Sequence, residues 1–359
     1  MAKLKPYPYR AFICYASEDL ALAEMVRDAL TEVGIVGWLD KRRIKGGSDF
    51  TTEIREAILS AHLFVPILTE KAHSRPWVHQ EIGFAHALNV PVLPIAVGLD
   101  PAGLIRHLQA VSVSASPRLT ELVRQLDALD LSAILEPAAK ARRMLVEIAA
   151  SAIDRPRLMV QYAERTLRAL GGGMVRQKAY YTSFSLPDKP THDPIWSRRE
   201  LGQERMADYL EEQRRERQVM EKLARLGKCR LIVDPRPQLF SGDSTGWRAR
   251  IGVLYDFLDS MPDSLAQAMP ANMKEPHNVV LVGDRFLAEA DSRVAGQGYQ
   301  RTHFTWHAPT VLWRIREFDE EFADHCESVG SNGIRPEESR RYTLDVLRNL
   351  LSAQPDRQP

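Results

Sequence analysis

Along the first 130 residues the apolar positions change period again and again. Short unbroken runs, RAFICY (10–15), IVGWL (35–39), HLFVPIL (62–68) and PVLPIAV (91–97), have the form of buried strands, and AVSV (110–113) adds a short fifth. Between them, apolar residues recur at three- and four-residue steps. One such set is Leu22, Val26, Ala29, Leu30 and Val33; the next is Phe50, Ile54, Ala57, Ile58 and Ala61. Trp77, Ile82, Phe84, Ala85 and Leu88 form a third, and Leu119, Leu122, Val123, Leu126 and Leu129 a fourth. Each set predicts a helix, the first capped by Ser17 and ended by Gly34. Strands alternating with helices predict an α/β unit over 1–130: a parallel five-stranded sheet covered on both faces, with its site at the carboxyl ends of the strands. Residues 16–19, the 40–49 loop and 74–77 all fall on that rim.

The pattern then loosens. Residues 131–228 read as a mainly helical connector, with helical spacing over 137–153, a second helix from Pro156 to Leu170, and a hinge at Gly171–Gly173. A strand around Val175–Leu186 precedes a long helix of mixed charge, Arg198–Leu226. Residues 229–352 read as a second α/β-like module. Its apolar runs CRLIVD (229–234) and NVVLVGD (278–284) each end in an aspartate at a turn, with a helix around Ile251–Leu258 between them. Arg301–Thr305 is strand-like, and a helix follows with Val311, Ile315, Phe318, Phe322 and Cys326 on one side. Residues 353–359 read as a disordered tail.

Composition narrows the function classes. A chain of 359 residues with 44% apolar and 26% charged residues and a net charge of +1 has room for two or three domains. Near-neutrality makes no global case for nucleic acid or an anionic membrane, so neither is an expected partner. No window approaches the roughly 18 apolar residues of a spanning helix, and the N-terminus lacks a signal-peptide core. Cys14, Cys229 and Cys326 are too scattered for a disulfide framework or a metal site, which points to the cytoplasm.

The chemistry concentrates in SRPWVHQEIGFAHAL (74–88), where Glu81 follows Trp77 by four residues, one helical turn. A carboxylate can stabilise oxocarbenium-like charge or grip ribose hydroxyls, and an indole can stack on a flat base. Alone, W-x-x-x-E also suits an ordinary amphipathic helix. Lys41, Arg42, Arg43 and Lys45 put four cations on the rim beside Gly46 and Gly47, a mobile loop suited to steering an anionic dinucleotide.

FICYASED (12–19), WLDKRRIKGGSDF (38–50) and SRPWVHQEI (74–82) occur in the order and at the strand-to-loop junctions of Toll/interleukin-1 receptor (TIR) domains, which residues 8–130 resemble. The resemblance implies a flavodoxin-like fold and cleavage of NAD+ at the nicotinamide–ribose bond. NAD+ enters as substrate, with no cofactor and no metal. Glu81 matches the catalytic glutamate of the enzymatic members and Trp77 its nearby tryptophan. Tyr15, Ala16, Ser17 and Asp40 match the substrate-binding rim, although Ala16 stands where plant relatives carry arginine. Lys45, Gly46 and Gly47 match the BB loop, through which neighbouring TIR domains associate and complete the pocket. The implied whole is a cytoplasmic effector of bacterial antiphage defence. Its TIR domains would assemble when the C-terminal module meets an activating ligand or partner protein. A non-enzymatic TIR scaffold is the alternative. The C-terminal half is vaguely similar to degenerate phospholipase D-like domains, without their H-x-K-x-x-x-x-D signature. Asp234, Asp284, Arg285, Glu289, His303 and His307 could form a ligand or nuclease site there, though polar residues at strand ends are common.

Overall fold

The computed structural model describes residues 9–39, 50–114, 117–136, 147–149, 153–170, 173–180, 182–186, 195–236, 244–273, 278–290, 293–294, 298–299 and 301–353. They divide into two units, Met1–Met144 with Trp306–Trp313, and Leu145–Thr305 with Arg314–Pro359.

In the first unit, β1 (Tyr9–Cys14), β2 (Ile35–Leu39), β3 (Leu63–Leu68), β4 (Ile95–Val97) and β5 (Val111–Val113) form a parallel sheet in the order β2-β1-β3-β4-β5. This is the expected flavodoxin-like arrangement. Side chains on β1 alternate between two cores, as pleating requires. Tyr9, Ala11, Ile13 and Tyr15 join one cluster with Ala23, Val26, Ala29 and Leu30 of α1 (Leu20–Glu32) and Leu122 and Leu126 of α5 (Leu119–Asp127). Phe12, Cys14 and Ala16 join another with Ile54 and Ile58 of α2 (Phe50–Leu59) and Val78, Ile82 and Ala85 of α4 (Pro76–Ala87). Each fully buried Ile or Leu here is worth about 1.5–3 kcal/mol, so the two stripes account for why the helices lie where they do.

Local details depart from expectation. Ser17 does not cap α1: Ser17–Asp19 is a 3-10 turn, and the Ser17 hydroxyl donates to Glu18 at 2.9 Å. The strand expected over Pro91–Val97 is only Ile95–Val97, with Val92 forming an isolated bridge to Phe64, because the prolines at 91 and 94 cannot donate to a ladder. The helix expected over Ser74–Leu88 is α4 (Pro76–Ala87), and a short α3 (Glu70–His73) precedes it, capped by Thr69, which accepts from the Ala72 amide. Gly34 ends α1 as expected, at φ +85°, a region that glycine enters without penalty. A short α6 (Leu131–Ile134) follows α5.

The second unit is built on a seven-stranded mixed sheet in the order β6-β14-β11-β10-β7-β8-β9. Its strands are β6 (Glu147–Ala149), β7 (Val175–Ala179), β8 (Cys229–Val233), β9 (Ala266–Pro270), β10 (Asn278–Val282), β11 (Phe286–Ala290) and β14 (Thr302–Thr305), with a separate two-residue pair, β12 (Arg293–Val294) and β13 (Gly298–Tyr299). β7, β8 and β9 run parallel and the remaining pairings are antiparallel. β6 corrects the helix expected over 137–153, whose residues 137–146 and 150–152 lie outside the described ones. β6 and β7, from the stretch expected to be a connector, are hydrogen-bonded members of this sheet. The helices are α7 (Asp154–Leu170), α8 (Ile195–Gly227), α9 (Ser244–Asp259), α10 (Ala308–Glu327) and α11 (Ser339–Ser352).

Polar contacts tie helices to both faces of β7. Gln177 exchanges hydrogen bonds with Ser183, and Ser183 donates to Glu216 of α8, which Arg155 of α7 also reaches. The adjacent Arg176 points to the other face and grips Asp319 of α10 with two bonds of 2.8 and 3.0 Å, while Arg230 of β8 adds a third at 2.6 Å. Burial alone would raise the Asp319 pKa, but the two guanidiniums hold it below the usual carboxylate range. Glu321 behaves alike: burial opposes its charge, and hydrogen bonds from His325 and Lys178 bring it down to about 2.

Asp234 and Asp284 do not share a site. Val233 pairs with Ala179 at one end of β7, whereas Val282 pairs with Val175 at the other. Asp234 is wholly buried, taken up by Arg236 and the Met273 amide. Gly173, expected in a hinge, is a packing position, because an added Cβ would meet the Gly283 Cα at 3.2 Å. The cysteines are buried free thiols, and burial pushes Cys229 up to about 12. Among the described residues, no helix is long and apolar enough to cross a membrane.

A Cβ at Gly227 would lie 2.5 Å from the Gly173 backbone. Gly227→Ala is therefore expected to cost about 1–3 kcal/mol, read as a lower urea midpoint; an unchanged midpoint would show that the end of α8 yields freely. Because the folded Glu321 pKa lies below its ordinary 4.5, its stabilisation is complete above that pH and is lost as pH falls towards 2. Glu321→Gln should flatten the pH dependence of stability in that window, and matching slopes for variant and parent would count against the linkage.

Candidate active site

In a sheet ordered β2-β1-β3-β4-β5, the chain leaves β1 towards one edge and β3 towards the other, opening a crevice beyond their carboxyl ends. The segments after these two strands are fastened together. Thr69 donates its hydroxyl to Asp19 at 2.5 Å while accepting from the Ala72 amide at 3.0 Å, and Lys71 lies 3.6 Å from the same Asp19. Further out, Arg75 donates to Glu18. Hydrogen bonds within the turn and from Ser17, together with Arg75, hold the Glu18 carboxyl below its ordinary range, so it is ionised at neutral pH.

From this clamp α4 starts at Pro76, and Trp77 and Glu81 follow one turn apart. The buried positions of α4 are Val78, Glu81, Ile82 and Ala85, at spacings of three, one and three, so the acid lies on the stripe that faces the sheet. Glu81 is only 6% exposed, and its Oε1 is inaccessible to solvent. Acids are rarely placed so, because withdrawing a carboxylate from water costs free energy that apolar neighbours do not return. Trp77 is partly buried and packs on the cluster that contains Phe12, Cys14 and Ala16. The Arg75 guanidinium lies over its ring, 5.2 Å from the centroid.

The expected site residues are distributed accordingly. Ala16, fully buried, shares a cluster with Trp77 and the Glu81 stripe. Tyr15 sits in the opposite cluster, on the α1 side of the sheet. Ser17 is exposed on the rim and bonded to Glu18. Asp40, Lys45, Gly46 and Gly47 lie outside the described residues, as do Lys41, Arg42 and Arg43. A small cleft of about 30 Å³ opens between the ends of β3 and β4, bordered by Leu68, Thr69, Val78, His79, Ile82 and Asp100. It has room for a water or so and not for a base, and neither Trp77 nor Glu81 borders it.

The sequence puts Glu18, Asp19 and Arg75 on the rim without joining them to one another, and Thr69 carries no expectation at all. The bonds that join them span 50 to 57 positions, so local pattern holds no trace of them. Arg75 left one signal, a cation two residues before the tryptophan in SRPW.

The family model for TIR domains matches residues 11–126, about a third of the chain. Among solved structures, the TIR domain of the Toll-related receptor TRR-2 from Hydra magnipapillata is similar at 17% identity. That likeness covers 28% of this chain and 82% of the other, with a TM-score of 0.24. The TIR domains of the activated Roq1 resistosome, which recognises the pathogen effector XopQ, are similar at 19% identity, covering 33% and 69%, with a TM-score of 0.24. Clostridium botulinum CMP N-glycosidase BcmB is similar at 21%, covering 33% and 99%, with a TM-score of 0.25. No curated protein matches the chain. The family match and the five-stranded parallel sheet it covers make residues 11–126 a TIR domain.

Proposed function

We propose that this TIR domain cleaves NAD+ at the nicotinamide–ribose bond, and that Glu81 is the group that makes the cleavage fast. The observation that supports the reading is a carboxylate placed on a core-facing stripe, one turn after a tryptophan, on the helix that starts where the segments after β1 and β3 are fastened together. As the C1′–N bond breaks, its electron pair goes to the pyridinium nitrogen and nicotinamide leaves neutral, so no general acid is needed. Positive charge builds on the ribose, and a carboxylate shielded from water opposes it more effectively than a solvated one. Water then adds to C1′ and releases a proton, giving ADP-ribose. Trp77 offers an indole for the nicotinamide to stack on.

Activity would rise on self-association, with Lys45, Gly46 and Gly47 of one copy closing the site of the next, and the second unit would supply the trigger as sensor of a ligand or partner protein. In a bacterial cell such a switch would deplete NAD+ on infection, the action of a cytoplasmic defence effector. The second reading is a TIR scaffold without chemistry. It is favoured by Val36 and Trp38, 55% and 49% exposed on the edge strand β2, where another chain could dock.

Purified full-length protein, assayed for nicotinamide release over a range of concentrations, separates the two. The enzyme reading expects release that steepens with protein concentration and falls at least about 100-fold in Glu81→Ala, with the circular dichroism spectrum kept. Equal release by parent and variant, or none from a folded parent at any concentration, would leave the scaffold.

A further inference from the structure

We propose that Arg75 is the residue of this site that engages the phosphates of a dinucleotide, and that Glu18 holds it in place until they arrive. The proposal rests on the NAD+ reading above and adds the group that recognises the anionic part of the substrate. Its ground is the position of one guanidinium. Arg75 lies over the indole of Trp77 at 5.2 Å and donates through Nη2 to Glu18, a carboxylate from the segment after β1. The two side chains are 38% and 39% exposed, so the pair sits in reach of solvent and of a ligand.

Among the described rim residues, three neighbours are less suited to this task than Arg75. Ala16 carries no charge, Ser17 has given its hydroxyl to Glu18, and Lys71 is paired with Asp19. A guanidinium can keep its flat face on an aromatic ring while its edge donates two parallel bonds to a phosphate, which an ammonium cannot do. An exposed ion pair of the Arg75–Glu18 kind contributes little to stability. Exchanging one carboxylate for a diphosphate of greater charge is therefore cheap, and the arginine need not leave the indole to make the exchange. Glu18 then serves as a place-holder that orders the arginine in the absence of substrate.

The test compares NAD+ with nicotinamide riboside, which keeps the scissile bond and has no phosphate, in the full-length protein. Arg75→Ala should raise KM for NAD+ about tenfold, with kcat within about threefold, and lower kcat/KM about tenfold more for NAD+ than for the riboside. Arg75→Lys, which keeps the charge and loses the fork, should fall between. An unchanged KM for NAD+, or equal losses on both substrates, would overturn the proposal, the latter reducing Arg75 to a support for Trp77. Should the parent release no nicotinamide, the cleavage reading fails while this one is still decided, by calorimetric titration with ADP-ribose. About tenfold weaker binding to Arg75→Ala than to the parent upholds it. Equal binding, or none to the parent at millimolar ligand, sinks it.

Discussion

Taking a carboxylate out of water is costly, and α4 takes one out in the middle of an otherwise apolar stripe. Val78, Ile82 and Ala85 bind this helix to the sheet through the cluster of Phe12, Cys14 and Ala16, and Glu81 is carried into the same interface by helical geometry. The apolar contacts supply several kcal/mol by burial, enough to carry a buried acid with them. A charge kept from water and fixed by its neighbours is what electrostatic catalysis needs, because it does not have to reorganise as the reaction proceeds.

What surrounds that acid is held by different means. The crevice follows from strand order, since only between β1 and β3 do successive crossovers diverge. Its walls are pinned by side chains: Thr69 and Asp19 at the base, Arg75 and Glu18 at the mouth. The inner pair is shielded, and the outer pair stands in solvent, where ion pairs exchange partners easily. The stiffness of the site thus falls from the sheet outwards.

The second unit spends charge on architecture. Arg176 and Arg230 meet Asp319 across one face of the sheet, and Gln177, Ser183 and Glu216 interlock on the other. Removing one member of such a buried set costs about 3–5 kcal/mol, because the partner is stranded. These groups are satisfied by one another.

Much of the first unit was legible in the chain because its strands are short apolar runs and the apolar residues of α1, α2 and α5 step by three and four. The Trp77–Glu81 pairing was legible for the same reason, being a relation within one helical turn. In the second unit, β9 and β11, AQAMP and FLAEA, carry no strand signal of their own because they lack β-branched residues, and they owe their form to the strands beside them. β6 and β7 were expected outside the module whose sheet they complete, since a strand's partners are not written in its own residues. By itself the sequence determined the alternation of elements, the family of residues 11–126 and the one-turn pairing of Trp77 with Glu81. The tertiary structure decided that this acid is buried, that Tyr15 and Ala16 part to opposite faces, and that Arg75 stacks on Trp77 under the hold of Glu18, because burial and pairing across 50 residues depend on strand order and packing, which no local period encodes.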